Sequence, residues 1–218
     1  MSITPETVKQ KLESEDLGDR LRGVNEIRQL DPAIGFELVQ SAIEDKNARV
    51  RYSAVSQFDT LGVQDLDKSL NLLRELLKDP EADVQAAAAD CLGGLKLVAA
   101  FDDLQQLYQS TDEWIVKLSV IAALGELGEP RGFEMLLQAL KEDNDLVKTA
   151  AISSMGELGN SQAVTALAPF ASNSDWQIRY RVAQALNRLD TAEAKTILES
   201  LASDEVEAVA EVAKKTRG

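Results

Sequence analysis

The chain has 218 residues, 37 acidic and 23 basic, for a formal net charge of −14, with one cysteine and no histidine. This balance argues against nucleic-acid binding and against an anionic membrane surface, because both need a basic footprint. Lack of histidine removes Ser-His-Asp and Cys-His nucleophile pairs and imidazole metal ligands, and Cys91 alone builds neither an intrachain disulfide nor a structural zinc site, so no metal site is expected.

Taken in chain order, the sequence reads as helix pairs. Pro5 stands where a first helix begins, and Leu21 opens its second helix. Pro32 opens the next pair, whose second helix carries Val50, Ala54 and Leu61 before Gly62. Pro80 lies in the turn of the third pair, ahead of Val84, Ala88 and Leu95. The fourth second helix holds Val116, Val120, Leu124 and Leu127, then Gly128. In the fifth pair, Pro130 to Asp143 reads as a first helix with Phe133, Leu136, Leu137 and Leu140 at helical spacing. Val147, Ala151, Met155 and Leu158 form its second helix, which Gly159 ends. In the sixth pair Pro169 falls late in the first helix and should bend or end it. Its second helix shows Ile178, Val182, Leu186 and Leu189, and Thr191 to Gly218 reads as an incomplete remnant.

The apolar openers Leu21, Val50, Val84, Val116, Val147, Ile178 and Val209 are spaced by 29, 34, 32, 31, 31 and 31 residues. A period in this range predicts an all-α, right-handed α-solenoid: one array over residues 1–218, with about six helix pairs and a short C-terminal remnant. Such an array offers an extended surface rather than an enclosed pocket. Neither GxGxxG nor GxxxxGK[ST] occurs. The opening MSITPETVKQKLES has no apolar core and no apolar run is long enough for a bilayer span, so a cytoplasmic protein without membrane insertion is expected.

Aligned as columns, the repeats place Arg22, Arg51, Gln85, Lys117, Lys148 and Arg179 one residue after the openers. Asp45, Asp79, Asp112, Asp143, Asp175 and Asp204 stand just before them. The aspartates read as helix caps and the cations as their partners within or between repeats. The alternative is a row of cations that grips carboxylates of a ligand or partner. Trp114 and Trp176 lie two residues before an opener, Tyr52 and Tyr180 two residues after. They read either as packing between repeats or as an exposed stacking surface. The densest segment, Asp175 to Arg181, joins a carboxylate, two aromatics and two guanidiniums. Arg22, Arg51, Tyr52, Trp114, Lys117, Lys148, Trp176, Arg179 and Tyr180 are therefore the candidate binding residues, on the face lined by second helices. Cys91 reads as a buried inert thiol, and Asp102-Asp103, Glu142-Asp143 and Asp204-Glu205 as solvated turns.

The tetratricopeptide and ankyrin signatures are missing. The unit reads Asp, a short gap, Val-Arg, Ala, then Leu-Gly, most clearly at Arg49-Val50-Arg51-Tyr52-Ser53-Ala54. This resembles the short HEAT-like repeat of the phycobilin-lyase type. The resemblance extends to Gly18 to Arg22, Gly35 to Ile43, Arg49 to Gly62 and Asp79 to Gly93. It implies cyanobacterial phycobiliproteins, phycocyanin and allophycocyanin, as partners. It also implies a role in phycobilisome degradation, with a bilin as substrate and no resident cofactor. A bilin offers two propionates, a flat conjugated system and pyrrole nitrogens. Arg51, Tyr52, Trp176, Arg179, Tyr180 and Asp175 match those groups, and Asp175 is the candidate catalytic carboxylate for lyase-like detachment without metal or nucleotide. A non-enzymatic HEAT-repeat scaffold that binds a protein partner is the competing expectation.

Overall fold

The structure is a computed structural model that describes residues 2–215. Among these residues every regular element is a helix, and none is long and apolar enough to cross a membrane. The chain forms two compact units that meet between Ser119 and Val120.

The first unit begins with α1 (Pro5–Leu12) and α2 (Leu17–Ile27). It continues with α3 (Pro32–Ala42), α4 (Ala48–Val55) and the short α5 (Phe58–Leu61). Next come α6 (Leu66–Leu76), α7 (Ala82–Gly94), α8 (Phe101–Ser110) and the start of α9 (Trp114–Leu127). The second unit takes the rest of α9, then α10 (Gly132–Ala139), α11 (Asp145–Leu158), α12 (Ala163–Leu167), α13 (Trp176–Leu189), α14 (Ala192–Leu201) and α15 (Glu207–Lys214). Side chains of Thr4, Asp16, Asp31, Asn47, Asp65, Asn144, Asp175 and Thr191 accept a backbone N–H at the start of their helices, which fixes where each begins.

Several expectations need correction. Residues 191–215 are more than a remnant: Thr191 caps α14, and α15 completes a seventh pair, while residues 216–218 of the expected remnant lie outside the described residues. The fifth first helix is shorter than Pro130 to Asp143, since Pro130 and Arg131 form a turn ahead of Gly132. The second helix of the second pair is broken into α4 and α5. There Gln57 is buried and its Nε2 donates 2.6 Å to the Val24 carbonyl on α2, which ties the break to the preceding repeat. Pro169 acts as expected: α12 stops at Leu167 and a 3₁₀ turn carries Ala168 to Ser172. Gly128 and Gly159 adopt φ of 66° and 73° after α9 and α11, where a Cβ would be strained.

The core of each unit is built by successive second helices, α2 on α4 on α7 in the first unit and α11 on α13 on α15 in the second. One four-residue pattern repeats. Val50, Ala54, Val55 and Phe58 are fully buried, as are Val84, Ala88, Ala89 and Leu92, and Val147, Ala151, Ile152 and Met155. Each of the larger side chains contributes about 1.5–3 kcal/mol by leaving water. The register of α2 differs from the expected one. It buries Arg20, Gly23, Val24 and Ile27, while Leu21 is only half-buried. Its true opener is therefore Asp19, and the first step becomes 50−19=31 residues.

Close packing in the second unit depends on small residues. A Cβ on Gly156 would lie 2.7 Å from Ala185 Cα, and one on Gly125 would lie 2.8 Å from Ser154 Cα. Backbone cannot yield as a flexible side-chain tip can. Gly156→Ala should therefore destabilise the protein by about 1–3 kcal/mol even though alanine gains up to about 1 kcal/mol in helix propensity. Urea denaturation measures this, and an unchanged midpoint would show that α11 and α13 have room to separate.

Candidate functional site

The cations of the candidate column do not form one surface. Arg51 is turned inward. Its Nε and Nη2 reach both oxygens of Asp79 on the next repeat at 2.7 and 2.8 Å, and its Nη1 donates 2.9 Å to the Asp45 carbonyl of its own repeat. Arg179 repeats this, with Asp204 at 2.7 and 2.9 Å and the Asn173 carbonyl at 2.8 Å. Both are corrected from candidate ligand contacts to struts between repeats, because their donors are spent on protein acceptors. The first member of this ladder is Arg20, not Arg22. Arg20 Nε meets Asp45 at 2.7 Å, and its Nη1 meets the Ser14 carbonyl at 3.0 Å. The expected partnership of the column's cations with aspartates of the adjoining repeat thus holds at Arg51 and Arg179, and Arg20, outside the expected column, makes the same contact.

The aspartates also sort into two positions. Asp45, Asp79 and Asp204 lie five residues before the opener and accept the amides of Asn47, Glu81 and Val206 at 2.8–2.9 Å. Asp175 lies three before it. It caps α13 by accepting the Gln177 amide at 2.9 Å, and Asn173 takes the turn position instead. Asp204 and Asp103 are not solvated turns, since the first pairs with Arg179 and the second with Arg74 at 2.8 Å.

Electrostatics follow this geometry. Burial favours the neutral acid at Asp79, but the Arg51 guanidinium and the Glu81 amide outweigh it and hold the carboxyl below its usual range. Hydrogen bonds from Arg179 pull Asp204 down against a smaller burial penalty. Burial pushes the Cys91 thiol up to about 12, and its Sγ sits 3.2 Å from the Val55 carbonyl, so it is an inert core thiol. Asp90, on α7, is moved the other way from Asp79. Desolvation of its carboxyl pushes it above the usual carboxylate range against a hydrogen bond from Ser119.

What remains on the surface is aromatic. In the first unit Tyr52 is 48% exposed and Trp114, the first residue of α9, 45%. In the second unit Trp176 is 43% exposed and stands edge-on to half-buried Tyr180, ring centres 6.5 Å apart. Arg22 is exposed and paired with Asp19 at 2.5 Å. Lys117 Nζ lies 5.6 Å from the centre of the Tyr108 ring, a cation–π contact, and Lys148 pairs with Asp145 at 2.8 Å. Beside the Trp176–Tyr180 pair, α13 carries exposed Arg181 and Arg188, and no acidic residue occurs from Trp176 to Leu189. Arg20 was missed in the sequence as the first strut of the ladder and Arg181 as a member of the exposed surface. The burial pattern of α2 and the acid-free stretch of α13 are the signals that point to them. Among the described residues no three Cys, Asp or Glu side chains converge to hold a metal ion. The arrangement is suited to binding through aromatic and guanidinium surfaces.

Helix pairs in constant register, joined by a turn-to-turn ladder, define a helical-repeat protein of the α-solenoid class. HEAT repeats match residues 35–125, 70–156 and 133–215, so the chain belongs to the HEAT repeat family. Its fold is similar to the CpcE–CpcF complex of phycocyanin lyase from Nostoc sp., at TM-score 0.66 and 20% identity over 97% of this chain and 93% of that one. It is also similar to YibA of E. coli, at TM-score 0.71 and 14% identity over 95% and 79% of the two chains. A third likeness is to an archaeal HEAT-like repeats protein from Thermococcus onnurineus, at TM-score 0.59 and 14% identity over 99% and 96%. No curated protein matches the chain in sequence.

Removing one partner of a ladder pair leaves the other charge poorly solvated. Asp79→Asn should cost about 1–3 kcal/mol at neutral pH, below the range for a fully enclosed pair because the ladder's edge meets water. The carboxyl is depressed in the fold, so its contribution is complete above the ordinary aspartate value of about 3.9 and is lost as pH falls through the lower folded value. Chemical denaturation between neutral pH and pH 3 should show a shallower acid loss in Asp79→Asn than in wild type. Parallel curves would remove Asp79 from the account of acid stability.

Proposed function

We propose that this protein binds phycobiliproteins, phycocyanin and allophycocyanin, and assists detachment of their bilins when the antenna is dismantled. The observation that carries the binding reading is the exposed Trp176, edge-on to half-buried Tyr180 and beside exposed Arg181 on an acid-free helix. Aromatic and arginine side chains held on a rigid helix are effective anchors, because they bury large areas at little conformational cost. They also suit a flat, propionate-bearing pigment. The likeness of fold to phycocyanin lyase supports this direction, as do the sequence stretches that resemble the phycobilisome-degradation protein NblB.

Detachment by elimination needs few parts. A carboxylate takes the proton from the carbon next to the thioether carbon, a C=C bond forms, the C–S bond breaks, and the thiolate leaves and is protonated. Asp175 is the carboxylate nearest in sequence to the aromatic pair, and it is exposed while capping α13. A second reading, a scaffold without chemistry, is favoured by one observation: Arg20, Arg51 and Arg179 are consumed inside the array.

Size-exclusion chromatography and absorbance on mixtures with chromophorylated phycocyanin separate these readings. Co-elution with bleaching and free bilin is the expected result. Co-elution with an unchanged spectrum selects the scaffold, and the absence of both co-elution and spectral change overturns the proposal. Trp176→Ala should weaken binding by on the order of 2 kcal/mol with the fold intact. Asparagine caps helices as well as aspartate, so Asp175→Asn should fold and bind yet release no pigment; full release by this variant would leave Asp175 as a cap alone.

A further inference from the structure

The inter-repeat ladder is interrupted once within the first unit, and a cleft opens at the interruption. At the position of Arg20 and Arg51 the third pair has Gln85. Its Nε2 reproduces the contact to the turn of its own repeat, 2.7 Å to the Asp79 carbonyl, but no carboxylate answers from the next repeat. The turn position taken elsewhere by Asp45 and Asp79 is Thr111, whose Oγ1 accepts the Glu113 amide at 3.1 Å. The turn-to-turn strut between the α6–α7 pair and the α8–α9 pair is therefore missing. A cleft of about 320 Å³ lies there, with Leu77 and Leu107 as apolar lining and Arg74, Lys78, Gln85 and Gln106 around them. That volume is in the range of small-ligand sites.

The polar lining selects the sign of the ligand. Arg74 Nε is held by Asp103 at 2.8 Å and its Nη2 by the Ala99 carbonyl, which fixes the guanidinium while Nη1 has no protein acceptor among the described residues. Lys78 brings a second cation, whose one ion-pair partner among the described residues is exposed Glu75 at 3.0 Å. The cleft's one carboxylate, Asp103, is already answered by Arg74. A bound cation would find no uncommitted carboxylate here, whereas an anion would find a fixed guanidinium edge, an ammonium group and the Gln106 amide.

We propose that the cleft between α6 and α8 is a binding site for a carboxylate on a short apolar body, with Arg74 and Lys78 taking the carboxylate and Leu77 and Leu107 the apolar part. The inference is independent of the phycobiliprotein reading. The carboxylate comes either from a free small acid or from the C-terminus of a protein partner.

The test is an NMR titration of the ¹⁵N-labelled full chain with hexanoate, with hexanamide as the neutral control. A second pair of probes is Ac-Ala-Ala-Leu with a free and with an amidated C-terminus. Saturable shifts of the Gln106 and Leu107 amides are expected with a carboxylate form, and binding at least roughly tenfold weaker with its neutral counterpart. Hexanoate binding identifies a free acid, and binding of the peptide acid alone identifies a protein C-terminus. Lys78→Glu, at an exposed position that spares the fold, should weaken binding severalfold. The double variant Gln85→Arg, Thr111→Asp should rebuild the strut, raise the melting temperature by roughly 2–4 °C and abolish the shifts. Equal binding of acid and amide, no shift with any probe, or undiminished binding in the double variant would overturn the proposal.

Discussion

A guanidinium that spans two turns is the constraint on which the rest of this structure depends. Arg20, Arg51 and Arg179 each donate to a backbone carbonyl in their own turn and to a carboxylate in the turn of the next repeat. That carboxylate meanwhile accepts an amide of its own turn, ahead of the second helix. One residue thus closes a turn, sets the start of a helix and fixes the stagger between repeats. Only arginine has enough donors, in a rigid enough fork, for all three tasks. Apolar burial supplies most of the stabilisation but is indifferent to small slides of one helix along another, and the ladder removes that freedom.

The same economy shapes the surface. Guanidiniums used as struts are withdrawn from solvent, so the basic column of an acidic chain does not become a basic face. The groups left outside are those the packing does not need: Tyr52 and Trp114 in the first unit, and Trp176, Tyr180 and Arg181 in the second. A repeat protein can vary such residues without disturbing its core, because each sits at a helix start or on the solvent side of a second helix. Specificity for a partner then resides in a few exposed side chains, while the fold is shared with solved structures below 25% identity.

Interruptions in a periodic structure carry information for the same reason. Gln85 keeps half of the arginine's work and drops the other half, and the space released is lined by Arg74, Lys78 and two leucines. The short side chains of Gly125 and Gly156 act in the opposite sense, bringing neighbouring helices so close that nothing larger than a hydrogen fits. A loosened joint thus occurs in the first unit and tightened ones in the second, each set by single residues.

The apolar period of about 31 residues, the helix pairs, the glycine stops at Gly128 and Gly159 and the Pro169 break were legible in the chain, because each rests on local backbone preference or on burial repeated at one spacing. The start of the array was not. Leu21 looked like an opener, yet the fold chose Asp19, since only that register turns Arg20 toward Asp45. Nor could the column of cations reveal which of its members are struts. Arg51 and Arg22 are alike in sequence, but the first has a carboxylate on the next turn within reach and the second an aspartate three residues back on its own helix. Sequence alone determined the repeat and its helices because those follow from interactions between near neighbours. Tertiary structure decided which charges are buried, which aromatics are exposed and where the ladder fails, because each depends on the distance between residues about 25 to 31 positions apart, fixed only when the repeats stack.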